Sequence, residues 1–353
     1  MLNLDSADSL ARLDPSNYLR LIDSYSTQLA SAWRQAAGLP LPPGAEHADL
    51  VLLAAVGDAS LAADVARHCV LFRSRLPVVL WQDSALPAFV GPRTFVIVVA
   101  AGSDLAAAVT LAAGAAMRQA SVLAISDRAD VWGGLPVWVH SGGVGRGLFP
   151  TQAAFTLEAL HKLGCVPDAA PDIAEAVGAL DQQSERLTTV SPLRRNSAKR
   201  MAGQLMERNA ALFVVDELAP AGRRWASAIN QTARAWSECY PLVDADQVAA
   251  GALFPEALIE RYMVLFLRGA DEVQSSQLRA DQTRLVYMTG GYNTDSIAAV
   301  GRGRLSQLLT LAQYGDYVAY YLALLYGLDP GGGGKWEESG GSLLAPPSSV
   351  ALS

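Results

Sequence analysis

The residues that could do chemistry in this chain are few, and their spacing limits what they can do. Asp316 is the one acid inside a nearly unbroken apolar stretch, residues 305–330. A charge set that deep has to be paired or hydrogen-bonded. The four histidines, His47, His68, His140 and His161, all lie in the first half, so no imidazole can move protons from the second. His68 and His161 fall on helical patterns and read as packing or surface residues. Cys69, Cys165 and Cys239 stand far apart. They make neither a metal-ligand spacing nor a disulfide framework, which suits a reducing cytoplasm. Two glycine turns, Gly57-Asp58-Ala59-Ser60 and Gly102-Ser103-Asp104, each join an apolar run to a helical pattern. Asp104 there reads as a helix N-cap.

The elements that must position these residues follow from hydrophobic period. Residues 15–37 read as a helix, with Tyr18, Leu21, Ile22, Tyr25 and Leu29 on its apolar stripe. Short apolar runs at 49–56, 77–81, 94–101, 121–126 and 137–140 read as buried parallel strands, with helices between them and at 150–163. Residues 164–190 read as a linker with a helical piece. The alternation then restarts: helix 191–208, strand 211–215, helix 219–235, strand 262–267 and a polar helix 275–284, with a further short strand read at 284–288. The stretch 305–330 is one helix, apolar nearly all round, stopped by Gly327 and Pro330. The resulting division is an N-terminal helical segment (1–45), a first domain (46–165), a linker (166–190), a second domain (191–330) and a Gly/Ser/Pro-rich flexible tail (331–353). The fold class is α/β: two tandem doubly wound parallel-sheet domains with helices on both faces.

Composition narrows the partners. The chain has 353 residues, is 51% hydrophobic and carries a formal charge of −7. That argues against a nucleic-acid surface. No apolar run reaches the length of a membrane span, and the acidic, amphipathic N-terminus is not a secretory signal. Tyr314, Tyr317, Tyr320 and Tyr321 give the last helix more aromatic surface than one domain needs, which predicts a homodimer.

Several words of the sequence carry a resemblance. Tyr-Gly-Asp-Tyr-Val-Ala-Tyr-Tyr-Leu-Ala-Leu-Leu-Tyr-Gly-Leu-Asp-Pro ends the last helix. Asn196-Ser-Ala-Lys199 opens another, and Arg224-Trp225 with Asn230 sits on a third. Together they resemble the bifunctional phosphoglucose/phosphomannose isomerases, proteins with two sugar isomerase (SIS) domains. The resemblance implies binding of a sugar phosphate or related small molecule, a homodimer and no cofactor. It also implies interconversion of fructose 6-phosphate with glucose 6-phosphate or mannose 6-phosphate. That reaction needs a phosphate cradle of hydroxyls and amides at loop-to-helix junctions, a ring-opening acid and a base.

Carried over position by position, the resemblance assigns the ligand-binding role to Gly57, Ser60, Gly102, Ser103, Arg146 and Gln152. The first cradle loop keeps Gly57 but has Asp58 where a phosphate should approach, with Ser60 one residue late. The second keeps Gly102 and one hydroxyl, Ser103. At the third, Thr151 or Gln152 holds the family's Arg position and Arg146 lies nearby. Gln231 stands where the family has its catalytic Glu, and an amide cannot accept the proton. Glu238 is the acid available as a substitute. Ala245 stands where the family has its ring-opening His, and Lys335 lies outside any matching motif. The sequence therefore predicts a carbohydrate-derivative-binding protein with impaired or absent catalysis. The alternative is an active aldose–ketose isomerase with relocated catalytic residues.

Overall fold

The computed structural model describes residues 2–141, 145–245, 247–248 and 256–332. The chain opens with α1 (Ala7–Leu13), whose Ser6 side chain caps it, then α2 (Leu19–Asp23) and α3 (Tyr25–Ala37). The helix expected over 15–37 is thus two helices that break at Ser24. Asp14 ties down the start by accepting from the Tyr18 and Leu19 amides.

The first sheet contains β1 (Leu50–Ala55), β2 (Val78–Trp81), β3 (Thr94–Ala100), β4 (Ser121–Ser126) and β5 (Val137–Val139). Its order is β2-β1-β3-β4-β5, all parallel. The runs are Val/Leu/Ile-rich because both faces are covered. Val51, Leu53, Phe95, Ile97 and Leu123 face the main core with α4 (Gly57–Val70) and α6 (Phe149–Lys162). Leu52, Val96, Val98 and Val122 alternate to a smaller core under α5 (Leu105–Met117) and Trp132.

The expected linker is mostly an 18-residue helix, α7 (Ala170–Leu187), with Ile173, Ala176, Leu180 and Leu187 buried on one face. After α8 (Ser197–Leu205) come β6 (Asn209–Val214), α9 (Ala219–Thr232), β7 (Ser237–Pro241), α10 (Glu256–Ile259), β8 (Tyr262–Arg268), α11 (Gln274–Thr289), β9 (Asn293–Ala298) and α12 (Arg304–Leu325). The second sheet has the order β7-β6-β8-β9, again all parallel. The strand read at 284–288 is helix: α11 runs unbroken to Thr289. Strands β7 and β9 carry too many polar side chains to show an apolar run, because both are edge strands with little of their surface in the core. The tandem, doubly wound parallel architecture stands as expected.

Helix α12 lies at the centre and packs on α7, α8 and α9, reaching α4 and α2 as well. Tyr317, Tyr320 and Tyr321 are buried inside the chain itself, so the aromatic surface read as a dimer face is consumed internally. Tyr317 donates to Asp23 and Tyr321 to the Leu187 carbonyl. The packing of α12 on α9 depends on Gly315. A Cβ at Gly315 would sit 2.3 Å from Cδ1 of Trp225, a fully buried ring stacked on Tyr314. Gly315→Ala is therefore expected to destabilise by about 1–3 kcal/mol through overpacking. Urea unfolding measures it, and an unchanged midpoint would contradict the tight α9–α12 seam.

Candidate functional site

In an open parallel sheet the ligand crevice lies outside the carboxyl ends of the strands, where the strand order reverses. In the first sheet that point falls between β1 and β3. The turn at Gly57 and the 3-10 turn Gly102–Asp104 flank it. Gly57 has φ +57°, and a Cβ there would lie 3.2 Å from Oδ2 of Asp104. Glycine is required on both counts. Asp104 makes no side-chain cap to α5, contrary to the N-cap reading. Its carboxyl lies over the Gly57 turn. Burial, and secondarily the charge of Asp58, hold it above the usual carboxylate range.

Asp58 is tied into the second half of the molecule. Nη1 of Arg224 lies 3.4 Å from its Oδ1, and the Ser227 hydroxyl donates to the same oxygen at 3.2 Å. The Gln231 side-chain amide donates to Ser227 Oγ at 2.6 Å. The spacing explains the chain of contacts: Arg224, Ser227 and Gln231 are three and four residues apart on α9, so they share one helical face. Arg224 is 1% exposed, with its guanidinium 4.9 Å from the ring centre of Phe149. Its Nε lies 3.1 Å from Oδ1 of Asp316, which also accepts from Tyr25 Oη. Burial alone would lower the Arg224 pKa, but Asp316, Tyr25 and Asp58 carry it well above its usual value. Burial pushes the Asp316 carboxyl up against the pull of Arg224. The acid expected to be paired is paired, and its partner comes from a helix roughly ninety residues away (|i−j| = 92).

A second tie across the same seam joins Arg223 to Asp64 on α4. Asp64 is fully buried and also bonds Arg67 and His68. Against the upward push of burial, His68, Arg223 and Arg67 hold its carboxyl down at about 2.

Of the residues the resemblance assigned to ligand binding, Gly57 and Gly102 lie at the crevice; Gln231, assigned to the catalytic position, is linked to it through Ser227. Ser60 is buried and committed elsewhere: it donates to the Gly57 carbonyl at 2.7 Å and accepts from Gln82 at 2.8 Å. Gln152 is buried in the first turns of α6. Ser103 and Arg146 have backbones in 3-10 turns, but their side chains lie outside the described residues. The tail from 333 onward, Lys335 included, and residues 249–255 also lie outside them.

Glu238 does not reach Gln231. A Cβ on Gly222 would sit 2.7 Å from Cys239 Sγ, so Cys239 faces α9. Alternation along β7 then turns Glu238 to the opposite face of the sheet. There it accepts from Trp236 Nε1 at 2.9 Å and from the Tyr240 hydroxyl. The sheet stands between Gln231 and Glu238.

The words that carried the resemblance are fastenings. Asn196 caps α8 and donates to the Leu187 carbonyl. Lys199, fully buried, holds the Thr189 and Ser191 carbonyls and Asp5. Trp225 donates to the Leu311 carbonyl, and Asn230 exchanges two hydrogen bonds with the Ser237 backbone. Sequence reasoning missed Ser227 and Tyr25. Position 227, midway between Arg224 and Gln231 on one helical face, was the available signal.

At the end of β5, His140 is 2% exposed, and among the described residues neither ring nitrogen has a hydrogen-bond partner. Its ring packs edge-on against Phe155. Burial pulls its pKa down to about 4.

Comparison with known proteins agrees with this architecture. Residues 194–332 match the family model described as the bacterial phospho-glucose isomerase C-terminal SIS domain. A bifunctional phosphoglucose/phosphomannose isomerase of Caldicellulosiruptor bescii is 23% identical over 312 residues, covering 86% of this chain and 92% of that protein. Among solved structures, a glucose-6-phosphate isomerase like protein from Thermus thermophilus aligns with a TM-score of 0.62 at 22% identity, over 96% of this chain and 99% of that one. The C-terminal domain of glucosamine-fructose-6-phosphate aminotransferase from Francisella tularensis aligns with a TM-score of 0.68 at 12% identity, over 88% and 96%.

Proposed function

We propose that this chain, an SIS-domain protein similar over most of its length to the bifunctional phosphoglucose/phosphomannose isomerases, binds a sugar phosphate or related carbohydrate derivative without isomerising it. The observation that carries the reading is the Gln231–Ser227–Asp58–Arg224 chain. At the inherited base position it places an amide that is already bonded to Ser227. A proton abstracted from a sugar carbon has no acceptor at that position. Ala245 offers no acid, and it is fully buried. Asp58 and Asp104 place carboxylates where a phosphate would seat, so the phosphate has to be met by donors elsewhere in the cleft or the ligand enters by its hydroxyl end. Sugar hydroxyls donate well to carboxylates.

A coupled assay with fructose 6-phosphate and mannose 6-phosphate tests the catalytic half of the reading. The expected turnover lies far below roughly 1 per second, the lower end of ordinary enzymes. Turnover at or above that rate overturns the reading. Asp104→Asn is then the first variant to make, because Asp104 is the raised carboxyl nearest the crevice. Binding is tested by calorimetry with glucose 6-phosphate.

The same reading includes a homodimer and the division into domains at 46–165 and 191–330. With α12 consumed internally, apolar side chains exposed elsewhere support contact between copies, Leu71 and Phe72 at the end of α4 among them. Light scattering at micromolar concentration tests it, and a monomer would count against it. Among the described residues, no helix is long and apolar enough to cross a membrane.

A further inference from the structure

The face of the second sheet turned away from α9 carries a cavity that the proposed sugar-phosphate site does not use. Alternation along the edge strand β7 sets Trp236, Glu238 and Tyr240 in a row on this face. Helix α11 packs over β8 and β9, and its Tyr287 reaches Phe213 of β6 at 5.6 Å. The result is a cavity of about 180 Å³ whose walls include Trp236, Tyr240, Tyr262, Tyr287 and Tyr292, with Glu238 among them. Tyr287 and Tyr292 meet edge to face at 5.2 Å, and Phe213 stacks behind Tyr240 at 5.5 Å. The walls are therefore held by packing, while the Trp236 rim stays 65% exposed.

The electrostatics of this cavity have one sign. Aromatic faces carry the negative lobe of the ring quadrupole. The Glu238 carboxylate is oriented by two neutral donors, Trp236 Nε1 and the Tyr240 hydroxyl. Among the described residues, no lysine, arginine or histidine lines the cavity. A phosphate would find no cation here. A positively charged group would find ring faces and a full negative charge together, as in sites that recognise quaternary ammonium groups.

We propose that this cavity binds a small organic cation, a quaternary or methylated ammonium group seated against Trp236 and the tyrosines with Glu238 as its counter-charge. The site is independent of the crevice at Gly57 and stands or falls apart from the sugar-phosphate reading.

The test titrates the full chain with choline, following Trp fluorescence and, separately, calorimetry. Its neutral isostere, 3,3-dimethylbutanol, is titrated alongside. Choline is expected to bind in the millimolar range or tighter, and the isostere at least about tenfold more weakly, as loss of the charge removes the cation–π term. Trp236→Ala is expected to weaken choline binding about tenfold or more, and Glu238→Gln several-fold. Both side chains are exposed enough for the variants to fold, and unchanged circular dichroism checks this. Equal binding of choline and the isostere, choline binding unaffected by both substitutions, or no binding up to about 20 mM, beyond the range of even weak sites, would each overturn the proposal.

Discussion

Replacing Arg224 by methionine is expected to cost about 3–5 kcal/mol of folding stability, the usual result of removing one partner from a buried ion pair. Asp316 is 2% exposed and, among the described residues, would keep the Tyr25 hydroxyl as its one side-chain donor. Asp58 would lose its cation too, so the junction of α4, α9 and α12 would carry two weakened acids. The double variant Arg224→Met, Asp316→Leu should recover most of the loss, because it leaves no buried charge behind. Urea unfolding of the two variants separates the effects. A loss below about 1 kcal/mol in the single variant, within the range of a surface pair, would show that water reaches Asp316 and that the pair is not the seam's fastening. The ligand crevice shares the same residues. The single variant should therefore also weaken any ligand held between the first sheet and α9.

The second large effect is a loss of stability in acid that is traceable to His140. Its folded pKa of about 4 lies below the ordinary 6.5 because burial disfavours the charged ring, an effect that Asp127 only partly offsets. The unfolded chain takes up a proton as pH falls through about 6.5, while the folded chain resists until about 4. Stability is thus complete above the unfolded value and drains away between the two, by on the order of 3 kcal/mol. His140→Phe should flatten this slope. Near neutral pH it should cost little, since both ring nitrogens lack partners among the described residues and Phe155 already packs against the ring. Asp64, held down at about 2, loses its contribution only in a lower window, below the ordinary carboxylate value of 3.8. Denaturation curves of the two proteins at several pH values between 4 and 7 isolate the histidine. Parallel slopes would sink the assignment.

The sequence by itself determined the layers of this protein and their order. Short Val-, Leu- and Ile-rich runs between turn residues read as strands covered on both faces, and their alternation with helices points to parallel sheets in tandem. It also determined that 305–330 is a central helix, because a helix without a polar face has no stable place at a surface. The letters Gln231 and Ala245, at the positions that the resemblance aligns with a base and a ring-opening acid, are what motivate the proposal of absent isomerisation. Edge strands β7 and β9 stayed hidden because an edge strand needs no apolar alternation. The tertiary structure alone decided which residues meet. Asp316 called for a partner, but only the crossing of α9 on α12 makes that partner Arg224. Glu238 is seven residues from Gln231, yet a strand's alternation places the sheet between them. Asp104 had the sequence of a helix cap, and the approach of the Gly57 turn took its carboxyl elsewhere. Local period is written along the chain, whereas charge pairs and site geometry depend on the packing of segments distant in sequence.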